Sequence, residues 1–184
     1  MNVPGPALAL LEIESIARGM LVGDALVKRA PVDLAMAEAV SPGKYLLLFS
    51  GGVGETEEAL KAGVEAAGSS LLDQLFLPRP APALLGGLRD EWDQSWGGSF
   101  GIVETQTAAS ALLSADAALK RAEVGLRRLH LARGIGGKGY FVLTGPLDMV
   151  QAAIEAAAAS IDARLLLATE LVERPHRDTK GRVF

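Results

Sequence analysis

The chain has no cysteine in its 184 residues. That excludes a disulfide scaffold, a cysteine-ligated zinc site, a thiol nucleophile and a cysteine-held iron–sulfur cluster. Aromatic residues are scarce at 5%, although 49% of residues are hydrophobic. The apolar surface is therefore mostly Ala, Leu and Val, whose small size lets helices lie close on a sheet. Positive charge is not in excess. The formal net charge is −4 and the pI is near 5.3, unlike the basic footprint of a nucleic-acid binder. Nothing approaches the ~20 apolar residues of a membrane-spanning helix, the run 45–49 being far shorter. No basic segment precedes the apolar run 7–11, and Glu12 and Glu14 interrupt it, so a cleavable export signal is not expected. The expectation is a soluble, cytoplasmic protein of ordinary globular composition, with 22% charged residues.

The sequence contains itself twice. Leu11-Glu12-Ile13-Glu14-Ser15 matches Gly101-Ile102-Val103-Glu104-Thr105. The block starting at Asp24-Ala25-Leu26-Val27-Lys28-Arg29-Ala30 matches the block starting at Asp116-Ala117-Ala118-Leu119-Lys120-Arg121-Ala122. Gly43-Lys44 and the apolar run to Gly51 match Gly137-Lys138 and the run to Gly145, and Arg79-Pro80 matches Arg174-Pro175. The offset drifts only from 90 to 95 across these blocks, so the chain is a tandem duplication of a unit of about 90 residues.

Each copy reads as an α/β module. Apolar strands are expected at 7–13 and 100–103, ending at the candidate N-caps Ser15 and Thr105. Helices follow, with apolar residues at three- and four-residue steps: Met20, Gly23, Val27 and Ala30, then Leu112, Ala115, Leu119 and Ala122. Strands at 32–39 and 124–132, Gly-rich turns, and strands at 45–49 and 140–143 come next. Second helices start near Gly54 and Pro146, and strands at 71–77 and 163–172 close the units. The order β-α-β-β-α-β is the split βαβ pattern of ferredoxin-like folds, an α+β class laid out as an α/β sandwich. With two helices on one sheet face, the other face needs a cover, which points to assembly.

The expected domains are 7–88 and 99–184, with 89–98 as linker and a short helix at 83–88. Trp92 and Trp96 stand four apart and would share one face if helical, covering apolar surface between the units. Little else suggests chemistry. Gly134-Ile135-Gly136-Gly137-Lys138-Gly139 satisfies G-x-G-x-x-G, but it leads into a strand rather than opening a helix, so no pyrophosphate site results. His130 and His176 have no partners at metal-ligand spacing. Glu14 and Glu104, equivalent by the repeat, look structural rather than like an acid/base pair in unlike environments. Glu55, Glu57 and Glu58 make a solvated helix start. No enzyme and no cofactor are expected.

The run strand, Glu-Thr, helix, Ala-Asp-Ala-Ala-Leu-Lys, Gly-rich turn, strand-Gly resembles the BMC domain of bacterial microcompartment shell proteins, over 7–80 and 99–176. Two such domains in unpermuted order are similar to the tandem, single-disc class, in which three chains make a pseudohexameric tile. The resemblance implies that Lys28 and Lys120, and Arg79 and Arg174 of the two Arg-Pro pairs, lie at the tile edge. It implies that Ser41, Pro42 and Gly43 of one turn and Ile135, Gly136 and Gly137 of the other line a central pore. Backbone N–H groups and Ser41 hydroxyls around that opening would favour small polar or anionic metabolites. Implied partners are two further copies in a homotrimer, hexameric shell proteins and pentameric vertex proteins, with no nucleic acid and no membrane. The implied location is a microcompartment shell within the cytoplasm. Some tandem shell proteins of this class carry a pore-turn cysteine that binds an iron–sulfur cluster. Ser41 stands there instead, and a hydroxyl is a poor substitute for a thiolate. The competing reading is a trimeric ferredoxin-like sensor of small molecules, since fold alone does not assign function.

Overall fold

A computed structural model describes residues 5–95, 98–179 and 182. Two compact units divide the chain: 5–80 with 132–137, and 81–131 with 138–179 and 182.

The first unit runs β1 (Ala7–Ile13), α1 (Ile16–Arg29), β2 (Asp33–Val40), β3 (Lys44–Gly51), α2 (Val53–Ala67), β4 (Leu71–Leu77). Its strands form one antiparallel sheet in the order β2-β3-β1-β4. Leu11 and Leu47 are register partners, so their side chains share one face. A Cβ on Gly63 of α2 would lie 2.5 Å from Leu11, and one on Gly23 of α1 would lie 3.2 Å from Leu47. Both helices therefore cover that same face, at the close approach the small side chains promised. Of these helix-to-sheet approaches the tightest is at Gly19, where a Cβ would meet the Tyr45 side chain at 2.4 Å. Phe49, Leu11, Leu47, Val22 and Leu26 fill the core between the layers, all wholly inaccessible. Arg29 at the end of α1 reaches Glu58 of α2 at 2.7 Å. That guanidinium, with Lys61, holds the Glu58 carboxyl below its ordinary range.

The second unit repeats the plan with one addition. A short helix α3 (Pro82–Leu88) comes first, then β5 (Ser99–Thr105), α4 (Ala108–Arg121), β6 (Gly125–Leu131), β7 (Gly139–Gly145), α5 (Leu147–Ala159) and β8 (Leu166–Val172). The sheet order is β6-β7-β5-β8. Gly101 approaches Val150 and Ile154 of α5, and Gly139 approaches Ala111 of α4, which again puts both helices on one face. The two units are each a ferredoxin-like β-α-β-β-α-β sandwich, in unpermuted order.

Several local expectations are corrected. Thr105 ends β5 with its hydroxyl donating to the Thr107 carbonyl, and the N-cap of α4 is Thr107, whose oxygen accepts the Ser110 N–H in a capping box. Strand register makes Glu12, not Glu14, the counterpart of Glu104, because Glu12 faces Leu46 on β3 as Glu104 faces Tyr140 on β7. Helix α3 packs on α4 and β6, so the boundary falls before Ala81 rather than after Leu88. Trp92 is half-buried in a non-helical stretch; Trp96 lies outside the described residues. On α1 the buried stripe is Gly19, Val22, Gly23 and Leu26, while Met20 and Val27 stay 60% and 43% exposed. The apolar spacing was real, but half of it faces outward.

Candidate turn and edge surfaces

The first candidate turn sits between β2 and β3. Ser41, Pro42 and Gly43 are all exposed, the Ser41–Pro42 peptide is cis, and Gly43 closes the turn by donating its N–H to the Val40 carbonyl at 2.8 Å. Gly43 has φ +126, a conformation that favours glycine. The second turn follows β6. Gly134, Gly136 and Gly137 all have positive φ, and so does the buried Ala132. Ile135 is half-buried, Gly136 exposed and Gly137 buried.

The two turns meet. A Cβ on Gly137 would touch the Ser41 carbonyl at 3.0 Å, Lys44 Cε at 3.1 Å and Pro42 Cδ at 3.1 Å. Arg133 of the second turn pairs with Glu38 of β2. Sequence reasoning assigned both turns to one feature but missed this ion pair, and no local signal links residues so far apart in the chain. Glycine at 137 is thus needed twice, for its backbone and for the close approach of the other turn.

Behind the first turn, Lys44 Nζ lies 3.2 Å from a carboxylate oxygen of Glu12, which is wholly inaccessible. Behind the second, Lys138 reaches Glu104 at 2.7 Å on a more open surface. Ser41 presents a hydroxyl, not a thiolate, on the exposed first turn. No group of metal-ligating side chains occurs among the described residues. His130 is half-buried and stacks on Tyr140, ring centroids 5.5 Å apart, and His176 is exposed with Nδ1 accepting the Asp178 N–H.

The four candidate edge cations fall into two pairs. Lys28 and Lys120 end α1 and α4, where the helix dipole favours them. Each pairs one turn back, Lys28 with Asp24 at 2.6 Å and Lys120 with Asp116 at 2.5 Å. Arg79 and Arg174 follow β4 and β8, exposed and without an ion pair among the described residues. No helix among the described residues is long and apolar enough to cross a membrane.

Two unpermuted split βαβ modules in tandem, with glycine-rich turns and exposed cations, define a duplicated ferredoxin-like protein. The BMC domain matches residues 7–80 and again 99–175. The bacterial microcompartment shell protein PduT of Citrobacter freundii is 38% identical over 171 residues, 92% of this chain and 93% of that protein. The crystal structure of a microcompartments protein from Desulfitobacterium hafniense DCB superposes with TM-score 0.84 at 34% identity, covering 95% of this chain and 97% of that one. A fused permuted hexameric shell protein from the RMM microcompartment shares the fold, with TM-score 0.63, 21% identity and coverage of 84% and 83%. The chain belongs to the BMC domain family. It is a structural component of a bacterial microcompartment shell, not an enzyme, and these relatives lend no support to the sensor reading.

Proposed function

We propose that three copies of the chain form a pseudohexameric tile that packs edge to edge with hexameric shell proteins, in a shell closed by pentameric vertex proteins. The observation that carries this reading is the meeting of the two turns, Gly137 against Ser41 and Pro42. One chain then supplies two adjacent turns, and three chains supply six around an axis. Ser41, Pro42, Gly43, Ile135, Gly136 and Gly137 line the opening. Exposed peptide groups and the Ser41 hydroxyl make it a passage for small polar or anionic metabolites.

The rim carries Lys28, Lys120, Arg79 and Arg174. Both lysines have flexible stems that can lie along a neighbour's surface while the ammonium reaches carbonyl oxygens. The two arginines offer planar forks with no ion pair among the described residues. Such contacts are individually weak and accumulate along a repeated edge. Native mass spectrometry tests the assembly: three chains of 19.2 kDa in one particle are expected. Sheets or tubes should form at low salt and fail with Lys28→Ala/Lys120→Ala. A discrete monomer, or sheets unaffected by that double variant, contradicts the reading.

A further inference from the structure

The two units should present equivalent surfaces, and at one place they do not. Helices α1 and α4 are both 14 residues long, and Ile16 corresponds to Ala108, so Asp24 corresponds to Asp116 and Val27 to Leu119. Strands β2 and β6 carry the same register shift, after Leu34 and after Leu126, which pairs those residues too. In the second unit this surface is occupied. Asp116 is buried, giving one oxygen to Lys120 at 2.5 Å and the other to the Ala81 N–H at 2.7 Å. The rest of α3 follows Ala81 onto α4 and β6, burying Leu84 and Leu88, with Gly87 against Leu126.

In the first unit the corresponding surface is an open groove lined by Met20, Gly23, Asp24, Val27, Leu34 and Tyr45. The Asp24 side chain is 60% exposed, against 6% for Asp116, and among the described residues it bonds only to Lys28, at 2.6 Å. Met20, Val27 and Leu34 are exposed at 60%, 43% and 39%.

The repeat also says what belongs there. Leu8 pairs with Leu77 as Phe100 pairs with Val172, so Arg79-Pro80-Ala81 corresponds to Arg174-Pro175-His176. Proline has no N–H, so Ala81 supplies the first donor after the Arg-Pro, and His176 supplies it in the second copy. His176, Arg177 and Asp178 are exposed, and the bonds to His176 come from its own turn: Asp178 N–H to Nδ1, Thr179 to its carbonyl. The position of the buried Leu88 falls on Val183, beside Phe184, so apolar side chains are available for the groove.

We propose that the α1/β2 groove is the docking site for residues 176–184 of a second copy of this chain, with that copy's His176 N–H donating to the free oxygen of Asp24. The contact joins two different surfaces, so it passes from copy to copy and closes into a ring. This rests on the trimer reading above and names the segment that seals it.

The absence of cysteine makes the test direct. Val27→Cys/His176→Cys is treated with a short bis-maleimide and run on a denaturing gel. Covalent dimers and trimers are expected from the double variant. None are expected from either single variant, or from a Leu72→Cys/His176→Cys control on β4. A trimer by light scattering that does not cross-link, or a control that links equally well, overturns the docking while leaving the trimer intact. A cross-linked monomer shows the chain's own tail in the groove and also overturns it. A protein monomeric by light scattering removes the trimer reading first. A second measurement reads the hydrogen bond itself. Asp24→Ala and His176→Pro should each raise the concentration of half-dissociation about tenfold or more, the effect of losing a hydrogen bond to a charged group. His176→Ala keeps the backbone N–H and should leave it unchanged; an equal effect of His176→Ala and His176→Pro contradicts the assignment.

Discussion

Glu12 is wholly inaccessible and meets the Lys44 ammonium at 3.2 Å, whereas its repeat counterpart Glu104 meets Lys138 at 2.7 Å with both side chains more than a third exposed. The fold thus holds one ion pair in two dielectric settings. A buried carboxylate is costly once its cation is removed, while an exposed pair contributes little. Lys44→Met should therefore destabilise by about 3 kcal/mol and Lys138→Met by less than about 1 kcal/mol. Chemical denaturation at one fixed protein concentration measures both, and equal effects would contradict the burial argument.

The glycines separate by what surrounds them. Gly19→Ala drives a methyl group to 2.4 Å from Tyr45 and should cost about 1–3 kcal/mol through overpacking. Gly54→Ala, in the first turn of α2 with nothing within 4 Å, should stabilise by about 0.5 kcal/mol through reduced unfolded-chain entropy. Thermal unfolding of the two variants should shift in opposite directions.

Much of this architecture was legible because it is stated twice. Strands such as Tyr45–Phe49, the helix ends at Lys28 and Lys120, and the Gly-rich turns each appear in both copies, so one copy checks the other. What escaped was the exact register of the repeat, and what differs between copies. Ser15 and Thr107 cap α1 and α4 at equivalent positions, but sliding the repeat by two residues put the second cap at Thr105 and mistook Glu14 for the partner of Glu104. Met20 and Val27 follow helical spacing as faithfully as Val22 and Leu26 do. Periodicity reports apolar faces without saying whether a face is covered by its own chain. The pore and edge assignments rest on the family resemblance; their spacing alone carries no such meaning. The pair Arg133–Glu38 had no local signal at all.

Asp162 provides a check on local electrostatics. The Arg164 side chain, then its backbone N–H, hold the Asp162 carboxyl at about 2. A lowered carboxyl pKa contributes stability above its ordinary value near 3.8 and loses it as pH falls toward about 2. Carbon-detected NMR titration should find Asp162 ionised at pH 3, and Arg164→Ala, which keeps the backbone N–H, should raise its midpoint toward the ordinary carboxylate range. An unchanged midpoint in that variant would contradict the assignment.

The proposed opening can be tested in assembled shells. Ser41→Trp places a bulky side chain on the exposed turn and should slow the entry of a small anionic metabolite, with no effect expected from Glu65→Gln on the exposed face of α2. Because Ser41 offers a hydroxyl where a thiolate would be required, protein purified under anaerobic conditions should show no iron–sulfur absorbance. A brown preparation, or permeability indifferent to Ser41→Trp, would overturn the pore assignment.

The central claim is that this chain is a tile. Electron microscopy of the protein co-expressed with a hexameric shell protein tests it most directly. The account predicts closed shells or extended sheets containing both proteins, and loss of this chain from them in Lys28→Ala/Lys120→Ala. Discrete trimers excluded from such assemblies, and stabilised instead by one specific metabolite, would contradict it.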